Sequence, residues 1–343
     1  MVFFQILIYS LLIFTISDFI PRLRKITLLL SFILCVTVAG FRNMGGVDFI
    51  YYKNHYYGYD PVSYEKGYEF IVKLCNILGF TYEQYIFILA FISFLLLFIC
   101  VKRYSPMPQF TILLYVGSFF IFYNIIALRQ SISIIIFILS LQYLNNKEYK
   151  KYSICLLLAF LFHKSAIVLF AGTFFIGWFK LNIIQASILG AITLFIHSFN
   201  LFDFIKIFPS IGLSFVSDKM QYYTDDDRTF TLTTIIKLSI LFFLILLSYK
   251  KLLQRPYFRI FANMTLLYIA LFIMFSKWGV LTRMWVYFEI GYIFLIPIIL
   301  QYQKRYIQIP IYYSFAIMAI YSILNMIQTF DNGDLLLFKL NFL

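Results

Sequence analysis

Charge is scarce in this chain, and negative charge scarcest. Only 13% of its 343 residues are charged, 15 acidic against 28 basic, while apolar types make up 62%, far more than a soluble domain of this length can hide. Cysteine is limited to Cys35, Cys75, Cys100 and Cys155, which lack metal-ligand spacing, so neither a disulfide framework nor a zinc site is implied. Walker A, Rossmann, HExxH and GxSxG motifs are missing, and with them any motif for ATP hydrolysis or for the familiar hydrolase chemistries. Alternation with a period of two is absent, which disfavours a transmembrane barrel. No basic residue precedes the apolar run 2–20 and no small-residue cleavage site follows it, so it reads as a retained span. Lys and Arg are scattered through short loops instead of forming a basic domain, so the positive balance does not point to nucleic acid.

What is present is a series of apolar runs of about span length, rich in Phe and Tyr. The pattern predicts an all-α polytopic membrane protein, a single domain of about twelve transmembrane helices. The expected spans are 2–20, 24–41, 85–101, 110–126, 130–144, 152–163, 166–179, 182–199, 232–248, 259–276, 283–300 and 307–327. Two boundaries rest on length and charge. An unbroken helix over 110–144 would be roughly 52 Å long against a hydrocarbon core of about 30 Å. It must turn near Arg129, because an arginine is costly at the bilayer centre. The same reasoning divides 152–179 at the sequence FHKS, residues 162–165.

With the amino terminus outside, the short basic segments PRLRK, KRY, NNKEYKKY, YKKLLQRPYFR and QYQKR all face the cytoplasm, as the positive-inside rule requires. Two longer segments, 42–84 and 200–231, then face outward. A folded site outside the bilayer belongs on that face. Within the first segment, Tyr68, Ile71, Leu74, Cys75 and Leu78 have helical spacing, which predicts a short helix lying on the membrane.

Several polar residues need an account. Arg42 follows the second span; it either marks the boundary by snorkelling or binds phosphate, helped by a backbone nest at Gly45–Gly46. Asp48 is a turn residue, a partner of Arg42, or a carboxylate that orients or deprotonates an acceptor hydroxyl. Arg129 with Gln130 at the outer turn needs a partner, and its planar fork suits phosphate. His163 and Lys164 lie at the other outer break, where imidazole can accept a proton near neutral pH; His55 and His197 have no comparable setting in sequence. Arg283 opens a span, Tyr287 follows on the same face, and Glu289 lies roughly 9 Å deeper by helical rise. That glutamate is either paired internally with a cation or serves as a base or substrate anchor. The acidic run at 225–228 has no matching second cluster and reads as solvated loop, not as a metal site.

In order along the chain, GFRNMGGVD, YEKGYE, RQSIS, FHKSA and RMWVYF resemble the EpsG/Wzy family of bacterial polysaccharide polymerases, over nearly the whole length. On that resemblance Arg42, Gly46 and Asp48 correspond to the arginine–glycine–aspartate stretch after the second span. Glu65 and Gly67, with Glu69 nearby, correspond to the acidic–glycine element. Arg129 and Gln130 match the arginine–glutamine pair, His163 and Ser165 the histidine motif, and Arg283 the later arginine. The resemblance implies a GT-C-like enzyme of the bacterial inner membrane. It would move a glycan from undecaprenyl pyrophosphate to a hydroxyl of the next lipid-linked unit, on the outer face, without metal, nucleotide or other cofactor. His163, Asp48 and Arg129 are then the catalytic candidates. Arg42, Gly46, Glu65, Glu69, Gln130, Lys164, Arg283, Tyr287 and Glu289 are candidates for pyrophosphate or glycan binding. Membrane lipids, a flippase and a chain-length regulator are the implied partners. A transporter of lipid-linked oligosaccharide and an O-antigen ligase-like transferase are the competing readings; a membrane acyltransferase leaves the spread of arginines unexplained. A transporter predicts internal repeats and midplane polar groups, neither of which the sequence displays.

Overall fold

A computed structural model describes residues 2–42, 48–178, 232–275 and 282–329, with a few positions between 185 and 195. The described residues are helical, without a strand, and seven helical stretches are long and apolar enough to cross a membrane. In lipid no water is available to backbone N–H and C=O groups, so a chain this apolar satisfies them within helices. Gly46, the segment 200–231 and most of 182–199 lie outside the described residues.

The order begins with α1 (Val2–Phe14), extended by one 3-10 turn to Asp18, then α2 (Arg24–Gly40), α3 (Asp48–Tyr56) and α4 (Lys66–Ile77). Next come α5 (Tyr82–Tyr104) and α6 (Pro108–Tyr115), which runs on as a π-helix over Val116–Ile126. They are followed by α7 (Leu128–Asn145), α8 (Tyr149–Phe162) and α9 (Val168–Trp178). The series resumes with α10 (Leu232–Leu252), α11 (Phe258–Phe275), α12 (Thr282–Glu289), α13 (Gly291–Gln301) and α14 (Arg305–Thr329).

Local chemistry explains several ends. A capping box starts α5: Thr81 Oγ1 accepts from the Gln84 N–H at 3.3 Å, and Gln84 Oε1 accepts from the Thr81 N–H at 3.0 Å. Lys102 and Arg103 occupy its last turn, where positive charge suits the helix dipole. Pro108 opens α6, and the buried Asp18 carboxylate caps it from a distance by accepting from the Gln109 and Phe110 N–H groups at 3.1 and 2.9 Å. The long apolar run breaks at Ala127 (φ −90, ψ 61), directly before Arg129, and the next breaks at His163 (φ −157, ψ 124). Both breaks put a cationic or titratable residue at a helix end, away from the middle of a span.

The described residues form two compact units, one from 1–164 with 296–343 and the other from 165–295. In the first, α2 packs on α5, α7 on α8, and α14 on the π-helix; Gly117 permits that last approach, since a Cβ there would meet Ala319 at 2.5 Å. In the second, α11 packs against α9, α10 and α12. Asn263 Nδ2 donates to the Phe175 and Ile176 carbonyls and the Arg259 guanidinium to that of Gly177, which satisfies the end of α9.

Candidate functional site

In the first unit the site is built around the start of α4. Tyr52 and Tyr56 on α3, Tyr68, Val72 and Cys75 on α4, and Tyr82, Tyr85, Ile86 and Leu89 on α5 form one buried cluster with Leu128 and Ile132 of α7. Rings so abundant fill a gap between short helices that aliphatic side chains would leave poorly packed, and their edge-to-face contacts fix orientation. The Tyr56 and Tyr85 rings stack at 5.0 Å, and Tyr64 meets Tyr68 edge-on at 5.4 Å.

Glu65 sits in extended backbone at the start of α4 and is buried. Three groups converge on its carboxylate. The Arg129 guanidinium donates to Oε2, the Lys164 backbone N–H donates to Oε1 at 3.3 Å, and His163 Nδ1 lies 3.4 Å from Oε1. Burial works to raise the Glu65 carboxyl, but the His163 hydrogen bond and the Arg129 charge outweigh it and pull it down to about 2. Arg129 is itself enclosed. Its guanidinium carbon lies 4.3 Å from the Tyr64 ring centre, 5.7 Å from Tyr52 and 5.9 Å from Tyr68, and Nε donates to the Tyr52 hydroxyl at 3.3 Å.

One turn further along α4, Glu69 Oε1 accepts from the Tyr64 N–H at 2.9 Å and lies 3.2 Å from His55 Nε2. The His55 ring meets Tyr64 edge-on at 4.6 Å. Two carboxylates on one face of α4 thus each face a histidine, with Tyr64 linking the Arg129 side to the His55 side. In sequence His55 has no setting comparable to that of His163; the fold brings α3 beside α4 and so His55 to Glu69.

α4 reaches the His163 break by packing on α8, and Gly67 makes this possible. A Cβ at Gly67 would lie 2.8 Å from the Leu161 carbonyl oxygen. This close backbone approach sets Glu65 beside His163 and the Lys164 N–H.

Arg42 is buried, 4% exposed, beyond the end of α2. Its guanidinium donates to the Ala39 and Asn124 carbonyls at 2.6 and 2.9 Å, and Nε has no hydrogen-bond partner among the described residues. No carboxylate among the described residues pairs with it, Asp48 included. Burial draws Arg42 down to about 10, against nearby tyrosines that favour the charge. Asn124 belongs to the π-helix and is held from both sides, by the Tyr115 hydroxyl at 2.6 Å and by Ser131 at 3.2 Å. That irregular stretch, uncommon in itself, leads from the carbonyl that anchors Arg42 to the break that presents Arg129.

Asp48 is the first residue of α3, where a carboxylate suits the helix dipole, and its charge reaches Tyr52 and Tyr64. Gln130 is buried on α7, and the Lys164 side chain is exposed. The remaining sequence candidates lie in the second unit. Arg283 is exposed in the first turn of α12, and the buried Tyr287 hydroxyl lies 3.3 Å from Ser165 Oγ. Glu289 accepts from Lys237 at 2.9 Å, and the Lys237 ammonium lies over the Tyr292 and Tyr268 rings at 4.3 and 5.7 Å. The internal cation that the sequence left unspecified for Glu289 is therefore Lys237. Among the described residues no three His, Cys, Asp or Glu side chains are grouped to hold a metal.

The family model for EpsG matches residues 25–341, nearly the entire chain, and the chain belongs to that family. No curated protein and no solved structure matches it.

Proposed function

We propose, on the premise that a member of the EpsG family of Wzy-like polysaccharide polymerases does the work of its family, that this protein polymerises lipid-linked oligosaccharide repeat units. The donor is a glycan on undecaprenyl pyrophosphate, and the reaction takes place on the outer face of the bacterial inner membrane. The seven long helices belong to a GT-C-like bundle of about twelve spans. Shorter apolar helices such as Val2–Asp18 and Lys164–Gly177 supply further members.

The convergence of Arg129, His163 and the Lys164 N–H on Glu65 carries this reading. A carboxylate at Nδ1 orients an imidazole so that Nε2 turns away to meet a substrate proton. In the proposed step the acceptor hydroxyl oxygen attacks the anomeric carbon of the donor sugar. The bond from that carbon to the phosphate oxygen breaks, His163 takes the hydroxyl proton, and undecaprenyl pyrophosphate leaves with both electrons of the broken bond. Direct displacement inverts the anomeric centre. The leaving group is already activated, so no nucleotide enters. Arg42, a buried cation whose partners among the described residues are carbonyls, is the pyrophosphate contact, and Lys164 lies at the rim. Preorganised charge of this kind is worth more in a water-poor site than in bulk water.

Purified protein in lipid bilayers, given undecaprenyl-pyrophosphate repeat units alone, is expected to make glycan ladders without nucleotide. His163→Ala and Arg42→Ala are expected to abolish the ladders with the fold intact. Full elongation by both variants would sink the site assignment. Movement of the lipid-linked unit across the bilayer without elongation would establish a transporter instead.

A further inference from the structure

A polymerase of this kind must hold a long isoprenoid chain as well as a pyrophosphate, and one apolar surface in the first unit runs straight to the site. On α8, Tyr152, Leu156 and Ala159 are buried, and the Ala159 carbonyl accepts from Ser133 of α7 at 2.8 Å. The opposite side of α8 shows Ile154, Leu157, Leu158 and Leu161, 39–57% exposed, at i, i+3, i+4 and i+7. That spacing makes a single stripe along the helix, about 10 Å from first to last residue by helical rise. At its upper end Leu161 touches Gly67 of α4.

α4 continues the apolar surface past that contact. Its inner face, Tyr68, Val72 and Cys75, packs into the tyrosine cluster. Its outer side carries large apolar side chains too, Phe70 66% exposed and Leu74 43%, with Lys66 and Lys73 exposed beside them. An exposed face that mixes large apolar side chains with lysine ammoniums suits a molecule that is apolar along its length and anionic at one end. Where stripe and helix meet, the chemistry changes from apolar to cationic. Lys66 and Lys164 are exposed there, next in the chain to Glu65 and His163, which meet each other and Arg129.

We propose that the α8 stripe and the outer side of α4 form the seat of the isoprenoid chain of the lipid-linked substrate, with the cationic rim at its upper end receiving the pyrophosphate. The inference rests on the polymerase reading and adds the path of the tail. An apolar chain gains roughly 0.8 kcal/mol per buried CH2 only on leaving water. Against a lipid background that term vanishes, so the selectivity for this chain over phospholipid comes from the head-group cations at the end of the stripe.

The test uses the full chain in bilayer nanodiscs and a polyprenyl pyrophosphate carrying a diazirine in its isoprenoid portion. Photolysis and peptide mapping are expected to place adducts within 150–162 and 66–77, lost on addition of undecaprenyl pyrophosphate and retained with excess phospholipid. Leu158→Trp, which fills the stripe, is expected to lose labelling while the protein keeps its thermal midpoint. Adducts displaced equally by phospholipid would overturn the proposal, since the stripe would then be ordinary bilayer surface. Ladders formed with competed adducts on other helices would overturn the seat and leave the polymerase reading standing. Competed adducts at α8 in a protein that makes no ladders would do the reverse.

Discussion

The two units each hold a largely enclosed ion pair, and the pairs are built differently. In the first, Glu65 gathers Arg129, His163 and a backbone N–H, and Arg129 is boxed by three tyrosine rings. Glu65, Arg129, His163 and the Lys164 N–H all sit at a helix start or a helix end. In the second, Lys237 and Glu289 face each other between helices with two tyrosine rings over the ammonium. A carboxylate held by an ammonium, with only phenol groups around it, locks helices together and has no imidazole to pass a proton near neutral pH. A carboxylate shared between a fixed cation and an imidazole can hold charge steady while the imidazole changes state. The first arrangement suits chemistry and the second suits packing.

The largest expected break in that contrast is His163→Gln. Loss of a positioned base lowers turnover by roughly 10²–10⁴-fold, read as ladder formation in reconstituted protein. The double change Lys237→Met with Glu289→Leu is expected to leave ladders essentially unaltered. Glu65→Ala comes next. It leaves the Arg129 guanidinium partly buried and unbalanced, at a cost of about 3–5 kcal/mol, measured by thermal or denaturant unfolding in nanodiscs. Removing both partners of the Lys237–Glu289 pair is expected to be near neutral in the same assay. Equal losses for the two would erase the distinction. Gly67→Ala should cost about 1–3 kcal/mol, because the added methyl meets the Leu161 carbonyl, and it should lower ladder formation by moving Glu65 away from His163.

The smallest effect is in pH. Glu65 is held at about 2 in the folded protein, below the ordinary value of 4.5. Its contribution to stability is complete above about pH 4.5 and fades as the pH falls through about 2. The unfolding midpoint of the native chain should therefore carry a component lost between pH 4.5 and 2 that Glu65→Gln lacks. A superimposable pH dependence in the variant would contradict the shared-carboxylate geometry.

Parts of this site were legible in sequence for definite reasons. Arg129 stood out because a charge interrupted an apolar run too long for one span, and the chain does break at Ala127, two residues before it. His163 stood out in the same way, and α8 ends at Phe162. The helix over 66–77 followed from apolar spacing, yet its inward face is Tyr68, Val72 and Cys75, while Leu74 and Leu78 point outward. Periodicity finds an apolar side but not which of two apolar sides meets protein. His55 carried no signal, since a lone histidine in a tyrosine-rich segment has nothing local to distinguish it. Helix α3 was hidden for a related reason: nine residues with mixed polar and aromatic side chains lack the stripe that marks a longer helix.

Sequence alone determined that this chain is helical, apolar and membrane-spanning, and where its longest runs must break. Those features follow from the cost of bare backbone and of charge in hydrocarbon, which acts residue by residue. Tertiary structure alone decided which cation meets which carboxylate. Arg129 and Glu65 are 64 residues apart, Lys237 and Glu289 are 52 apart, and Lys164 and Glu65 are 99 apart. Pairings at such range depend on how helices pack, here on the glycine that lets α4 touch the backbone of α8. No local pattern encodes a contact made by the absence of a side chain.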